Sequence, residues 1–258
     1  MYTSDNNNLH DVGIEANQIL NLIESLGDEK LTAYFKQMDY PEEEKILYLY
    51  KQLNITPKYD KDRKLLPVSE TDQLTAISNY GNAIRYIKNP SETVQLAAVN
   101  KDGNAISYII NKGIIPSEDV QLAAVNKECY AINYIMNKGI IPSEDVQVAA
   151  VNKESYAIKY IMNKGIIPSE DVQLAAVNNY GFAIEYIIKK GIIPSEDVQL
   201  AAVNESGFAI DDIIKKGIIP SEKVQLAAVN ENGYAIQYIQ NPSEKVKQLA
   251  RDKGITNV

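Results

Sequence analysis

PSEDVQLAAVN, residues 116–126, decides the fold. It returns identically at Pro168 and Pro194, and with one changed residue at Pro90, Pro142 and Pro220. A second unit lies between copies, as in YAIKYIMNKGII, residues 156–167. From Pro90 to Pro220 the prolines step by 26 residues each time. A fixed period of this size predicts stacked supersecondary units, each burying its apolar side against the next.

The unit from Pro142 onward predicts two helices. Either Ser143 caps the first, helix A, or Pro142 sits in its first turn. Glu144 and Asp145 then lie at the positive end of the helix dipole. Val146, Val148, Ala149, Ala150 and Val151 form a broad apolar surface, the alanines allowing close approach, and Gln147 is expected to face out. Asn152 ends helix A. The small residue of the turn that follows is Gly103, Cys129, Ser155, Gly181, Gly207 or Gly233 in successive units. An N-cap for helix B accounts for that set better than a positive φ, which would strain Cys and Ser. In helix B, Ala157, Ile158 and Ile161 share one face. Gly165 is the expected left-handed residue beyond its end, with Ile161 and Ile166 forming the hydrophobic pair of a Schellman ending. Ile167 precedes a proline and is extended.

At Asn89–Pro90 and Asn241–Pro242 the KGIIP junction is missing and the period drops to 22. Four residues are about one helical turn, so helix B is expected to lose a turn there. The array starts imperfectly at Val68, with Asp72 where Val is usual. It ends after Pro242, where Gln248 and Arg251 replace apolar residues, as a terminal cap requires. Ahead of it, residues 1–66 predict three helices and a charged connector. They are either an N-terminal helical cap or a small domain with its own partner.

The pattern QLAAVxxxxxAIxYI, over roughly residues 68–250, resembles the short two-helix repeats of phage and giant-virus proteins, a family of unknown function. In shape it is similar to HEAT-like arrays. The resemblance implies a fold and a viral origin, and brings no catalytic or binding residues with it. The expected fold is all-α: a right-handed α-solenoid of about seven 22–26-residue αα-hairpin repeats (residues 67–258) behind the N-terminal cap.

Charge and composition narrow the function. The 258 residues carry a net charge of −8, with 12 acidic against 8 basic side chains in residues 1–66 and 22 against 18 beyond. Neither part has the basic footprint of a nucleic-acid or anionic-membrane binder. Cys129 is the only cysteine, so no internal disulfide forms and a reducing compartment fits. MYTSDNNNLH has neither a basic n-region nor an apolar h-region, and no apolar run is long enough for a membrane span. The expected location is the cytoplasm. Asn, Ile, Lys and Tyr are abundant and Trp is absent. Those four residues have AT-rich codons, which suits a phage genome.

Several columns recur at the repeat period. Tyr86, Tyr108, Tyr134, Tyr160, Tyr186 and Tyr238 form one. Tyr130, Tyr156, Phe182, Phe208 and Tyr234 form another, four residues before it. Together they make an aromatic stripe, either a stacking platform or a packing ladder, and the ladder is the plainer reading. Asp212, beside Asp211, breaks the tyrosine column, which marks a local departure from packing. Lys112, Lys138, Lys164, Lys190 and Lys216 lie at helix C-termini, where a cation is favourable. Asn100, Asn126, Asn152, Asn178, Asn204 and Asn230 are expected to satisfy backbone groups at helix ends.

No catalytic or metal-binding set emerges and no cofactor motif is present. His10 is the sole histidine, and Cys129 stands where sister units have Gly or Ser. The remaining candidates are positions that drift between copied units. One row is Arg85, Ser107, Asn133, Lys159, Glu185, Asp211 and Gln237. The other is Tyr80, Asp102, Glu128, Glu154, Tyr180, Ser206 and Asn232. These rows, with Asp212, are the expected surface for binding another protein, with no direct nucleic-acid or membrane contact. With the viral resemblance, that suggests a phage inhibitor of a host defence protein. Two alternatives are an acidic decoy mimicking nucleic acid, and a small-ligand sponge or enzyme with a pocket at Asp211 and Asp212.

Overall fold

The computed structural model describes residues 69–256, except Tyr80 and Lys88 and the side chains of Asn79 and Tyr86. The expected N-terminal cap and connector, Val68 and the candidate Tyr80 lie outside the described residues. Every regular element among the described residues is helical. They divide into two units, before and after the Val94–Gln95 bond.

The first unit contains the helix Glu70–Asn79 and a 3-10 helix, Gly81–Tyr86. Ala76, Ile77, Ala83, Ile84 and Ile87 are its buried apolar residues, joined by Val94 at the start of helix Glu92–Lys101. Asp72, which replaces the usual valine, accepts a 2.7 Å hydrogen bond from the Ser69 hydroxyl.

In the second unit the A helices are Glu118–Lys127, Glu144–Lys153, Glu170–Asn179, Glu196–Glu205 and Glu222–Glu231. They alternate with the B helices Ala105–Asn111, Ala131–Asn137, Ala157–Asn163, Ala183–Lys189 and Ala209–Lys215. Each A helix packs on the next A helix and each B on the next B. Two helical layers result, the expected arrangement of stacked αα-hairpins.

Each A helix starts at its serine. Ser143 is extended (φ −61°, ψ 165°), and its hydroxyl accepts from the Val146 N–H; Ser117, Ser169, Ser195 and Ser221 do the same. The proline therefore lies outside the helix. The same hydroxyl also donates to the previous unit's first helical glutamate: Ser143 to Glu118, Ser169 to Glu144, Ser195 to Glu170 and Ser221 to Glu196. One hydroxyl thus caps its own helix and ties it to its neighbour.

Below the caps the interior is apolar. Val146, Ala150, Val151, Ile158 and Ile161 are fully buried, as are the matching residues of neighbouring units. Burial of a valine or isoleucine side chain contributes about 1.5–3 kcal/mol, against about 1 kcal/mol for a cap. Apolar contact therefore dominates stability, while the serine–glutamate bonds fix how neighbours register.

Two expectations within the unit are corrected. Gln147 does not face out: it is buried, and its Nε2 donates to the Pro142 carbonyl at 3.0 Å. Gln121, Gln173 and Gln199 make the same bond. A buried carbonyl just outside the helix needs a donor, and the glutamine supplies it.

The small turn residue is not the N-cap of helix B. That place belongs to the next residue, such as Tyr156 or Phe182, with right-handed helical geometry and no side-chain cap. Backbone bonds close the turn instead, with Ala157 N donating to Glu154 O at 2.8 Å. Where the turn residue is Gly103, Gly181 or Gly207, the size limit comes from the following A helix. A Cβ on Gly181 would sit 2.4 Å from the Ala202 carbonyl, and one on Gly103 2.7 Å from that of Ala124.

The helix B ending is as expected. Gly165 has φ +78°, and Gly165 N donates to Met162 O. The second Schellman bond is formed by Ile140 to Ile135, Ile192 to Ile187 and Ile218 to Ile213, at 3.3–3.4 Å. At the 22-residue units helix B is not an α-helix short of one turn. It becomes a 3-10 helix, Gly81–Tyr86 or Gly233–Tyr238. In the latter unit Asn241 takes the left-handed conformation at φ 53°, which asparagine tolerates. The helix Glu244–Asp252 buries Val246 and Ala250 and exposes Gln248 and Arg251.

Ser169→Ala should remove the cap and the bond to Glu144 together. Urea unfolding is expected to show a loss of about 1–2 kcal/mol, with Glu144→Gln, which keeps an acceptor, losing less.

Candidate functional site

The first drifting row lies on helix B. Asn133, Lys159, Glu185 and Asp211 are each half-buried, as is Arg85 on the 3-10 helix of the first unit. Charged members of the row are already engaged. The Lys159 ammonium lies 4.6 Å from the centre of the Tyr156 ring and 5.6 Å from that of Tyr186. The Tyr156 hydroxyl beside it holds that ammonium above the usual lysine range. Glu185 pairs with Lys189 at 2.5 Å and Asp211 with Lys215 at 2.6 Å. These are one-turn pairs along a helix, worth about 0.3–0.5 kcal/mol when exposed. The row is therefore a half-covered strip, not a fully outward one.

The second row is freer. Glu128, Glu154, Tyr180, Ser206 and Asn232 are the C-caps of their A helices, each extended, as Glu128 is at φ −138°, ψ 111°. Glu128, Glu154 and Tyr180 donate their N–H to Ala124, Ala150 and Ala176, and accept from the first residue of helix B. The backbone is pinned identically in each unit. The side chains of Glu128, Glu154 and Tyr180 are exposed, while those of Asp102, Ser206 and Asn232 are half-exposed. Tyr130, Tyr134 and Tyr234 are exposed on the same edge, and with Tyr180 they range from 42% to 63%.

The aromatic stripe is a packing ladder. Tyr130 meets Tyr160 at 6.0 Å, Tyr156 meets Tyr186 at 5.5 Å, and Phe208 meets Tyr238 at 6.0 Å. Each pair joins adjacent units, thirty positions apart. By that spacing the rung for Phe182 is Asp212, and Phe182 pairs instead with Tyr180 at 5.6 Å. Burial, then Glu185 and Asp211, push the Asp212 carboxyl above its ordinary value. A carboxylate thus occupies a ring's place.

The remaining columns are placed as follows. The lysine column supplies the C-caps of the B helices, with Lys138, Lys164, Lys190 and Lys216 exposed. Lys112 is half-buried, and desolvation lowers it to about 8. The asparagine column does not bind helix ends as expected. These residues are exposed, with Asn126, Asn152, Asn178, Asn204 and Asn230 two positions before the C-caps, and Asn152 accepts from Asn179 of the next unit at 3.3 Å. Burial, then Glu154 and Glu128, raise the Cys129 thiol, which disfavours thiolate formation. Among the described residues, no group of three or more His, Cys, Asp or Glu is placed to hold a metal ion. No described helix is long and apolar enough to cross a membrane. One cleft lies at the C-terminal end, lined by Tyr234, Ile239, Pro242 and Ile255. Another lies between A helices, at Val148, Ala149 and Asn152. Neither includes Asp211 or Asp212.

One row was missed in the sequence. Ile115, Ile141, Ile167, Ile193 and Ile219 are 75–91% exposed, one per junction. The signal was available. In an extended Ile-Ile pair successive side chains point to opposite sides. With Ile166 committed to the Schellman contact, Ile167 must point away.

No family model matches the chain, and no curated protein matches it.

Asp212→Tyr should complete the ladder against Phe182, with an expected gain of about 0.5–1.5 kcal/mol in urea unfolding at neutral pH. Asp212→Asn separates the electrostatic part. A raised carboxyl binds its proton more tightly when folded, so stability falls as pH rises through and beyond 3.8. The gain from Asn should therefore be present at pH 7 and shrink as pH is lowered towards 3.8; a gain independent of pH would refute this account.

Proposed function

We propose that this chain is a non-enzymatic helical-repeat protein that binds a partner protein along the edge formed by its A-helix C-caps and helix B starts. One observation carries the reading. The C-cap backbone is held by the same bonds in every 26-residue unit, while exposed side chains there differ: Glu128, Glu154, Tyr180. Tyrosines flank them, and tyrosine offers a large rigid contact with a polar tip, a composition common in protein interfaces. Half-buried Lys159, Glu185 and Asp211 border this edge and supply charge already fixed in direction.

A nucleic-acid mimic fits less well. Exposed Lys138, Lys164, Lys190 and Lys216 at the B-helix C-termini add a basic band that a mimic of nucleic acid would lack. The sequence resemblance and codon bias extend the proposal to a phage-encoded inhibitor of a host protein, acting inside the cell.

The test uses the full chain as bait in host lysate, followed by binding measurements with the recovered protein. Glu128→Lys, Glu154→Lys and Tyr180→Ala together should weaken binding at least ~10-fold, with helical content unchanged. Reversing Lys159, Glu185 and Asp211 should weaken it as well, with some loss of stability because their own pairs are broken. Undiminished binding in both sets rejects this edge.

A further inference from the structure

The exposed isoleucine row is the feature that neither the packing nor the proposed edge uses. It lies where each junction crosses from the B layer to the A layer. Successive A helices pack on the order of 8–10 Å apart, so the five side chains make a row of roughly 40 Å. On one side run the C-cap lysines of the B layer: Lys138, Lys164, Lys190 and Lys216 are exposed. On the other run the N-terminal acids of the A layer: Asp119, Asp145, Asp171 and Asp197 are exposed. The strip is therefore banded as basic, apolar, acidic over four joints; at the fifth, Lys223 stands in the aspartate's place.

We propose that this row joins two copies of the chain, isoleucine against isoleucine, about a twofold axis parallel to the row. The banding selects that arrangement. A half-turn about an axis along the row lays the basic band of one copy on the acidic band of the other. A half-turn about an axis across the row would lay lysine on lysine and aspartate on aspartate, which is repulsive. The area is sufficient. Five isoleucines at 75–91% exposure offer on the order of 700 Å² per copy, near the ~800 Å² per partner of a standard interface before the flanking charges are added. The composition fits too, with an apolar centre and a charged rim. The row is also uniform. Exposed positions such as Glu128, Glu154 and Tyr180 drift, whereas isoleucine occupies all five junctions. The recognition edge lies at the opposite ends of the helices, so dimerisation leaves it open.

Sedimentation equilibrium up to roughly 200 µM should show a monomer–dimer equilibrium. Ile141→Ser, Ile167→Ser and Ile193→Ser together should weaken it at least ~30-fold, with helical content and Tm preserved because these side chains contribute little to the fold. A wild-type protein that stays monomeric, or a dimer that survives the triple substitution, overturns the proposal. A monomer whose row binds a different protein overturns it also. Orientation is read by cross-linking in a Cys129→Ser background, chosen because Ser155 already occupies the equivalent position. Ile115→Cys should form a disulfide with Ile115→Cys of a second copy. Cross-linking only between Ile115→Cys and Ile219→Cys chains would show the antiparallel arrangement and refute the charge argument.

Discussion

A single hairpin of this chain has no interior of its own. Val146, Ala150, Val151, Ile158 and Ile161 reach zero exposure because neighbouring hairpins cover them. The apolar faces are nearly identical from unit to unit, so they attract without specifying one alignment. Alignment comes from directional contacts at the two ends of helix A. At its start the serine hydroxyl is shared between its own helix and the preceding glutamate. At its end the Ala202 carbonyl comes so close to Gly181 that a methyl group would not fit. A slip of one residue would break the first contact.

This division explains how much was legible in the sequence. Features decided within a few residues were readable: Ser143 as one of the two starts offered for helix A, and Gly165 in its left-handed turn. Features decided by a neighbour were not. Gly181 looked like a cap because its constraint comes from Ala202, one unit away. Gln147 looked solvent-facing because its partner, the Pro142 carbonyl, is part of the backbone and invisible to an apolar pattern. The 3-10 character of Gly233–Tyr238 was hidden for a similar reason, since a missing turn and a tightened one shorten a chain alike.

The candidate surface was half legible. Drift between copies correctly marked Glu128, Glu154 and Tyr180 as exposed. Drift also marked Lys159, Glu185 and Asp211, but variability does not imply freedom. Lys159 is held over two tyrosine rings, and the two acids are held by lysines one turn on. Asp212 shows the converse. Its break in the column was visible, and the missing ring beside Phe182 gives that break a physical meaning.

The identical junctions between Pro116 and Pro220 carry a last consequence, for heredity. Deleting residues 142–167 would bring Ile141 against Pro168, the same Ile-Pro step found at each of those joints. Unequal recombination between such copies could lengthen or shorten the molecule by whole hairpins without creating an unfamiliar seam. Reach would then evolve separately from the chemistry of any one hairpin.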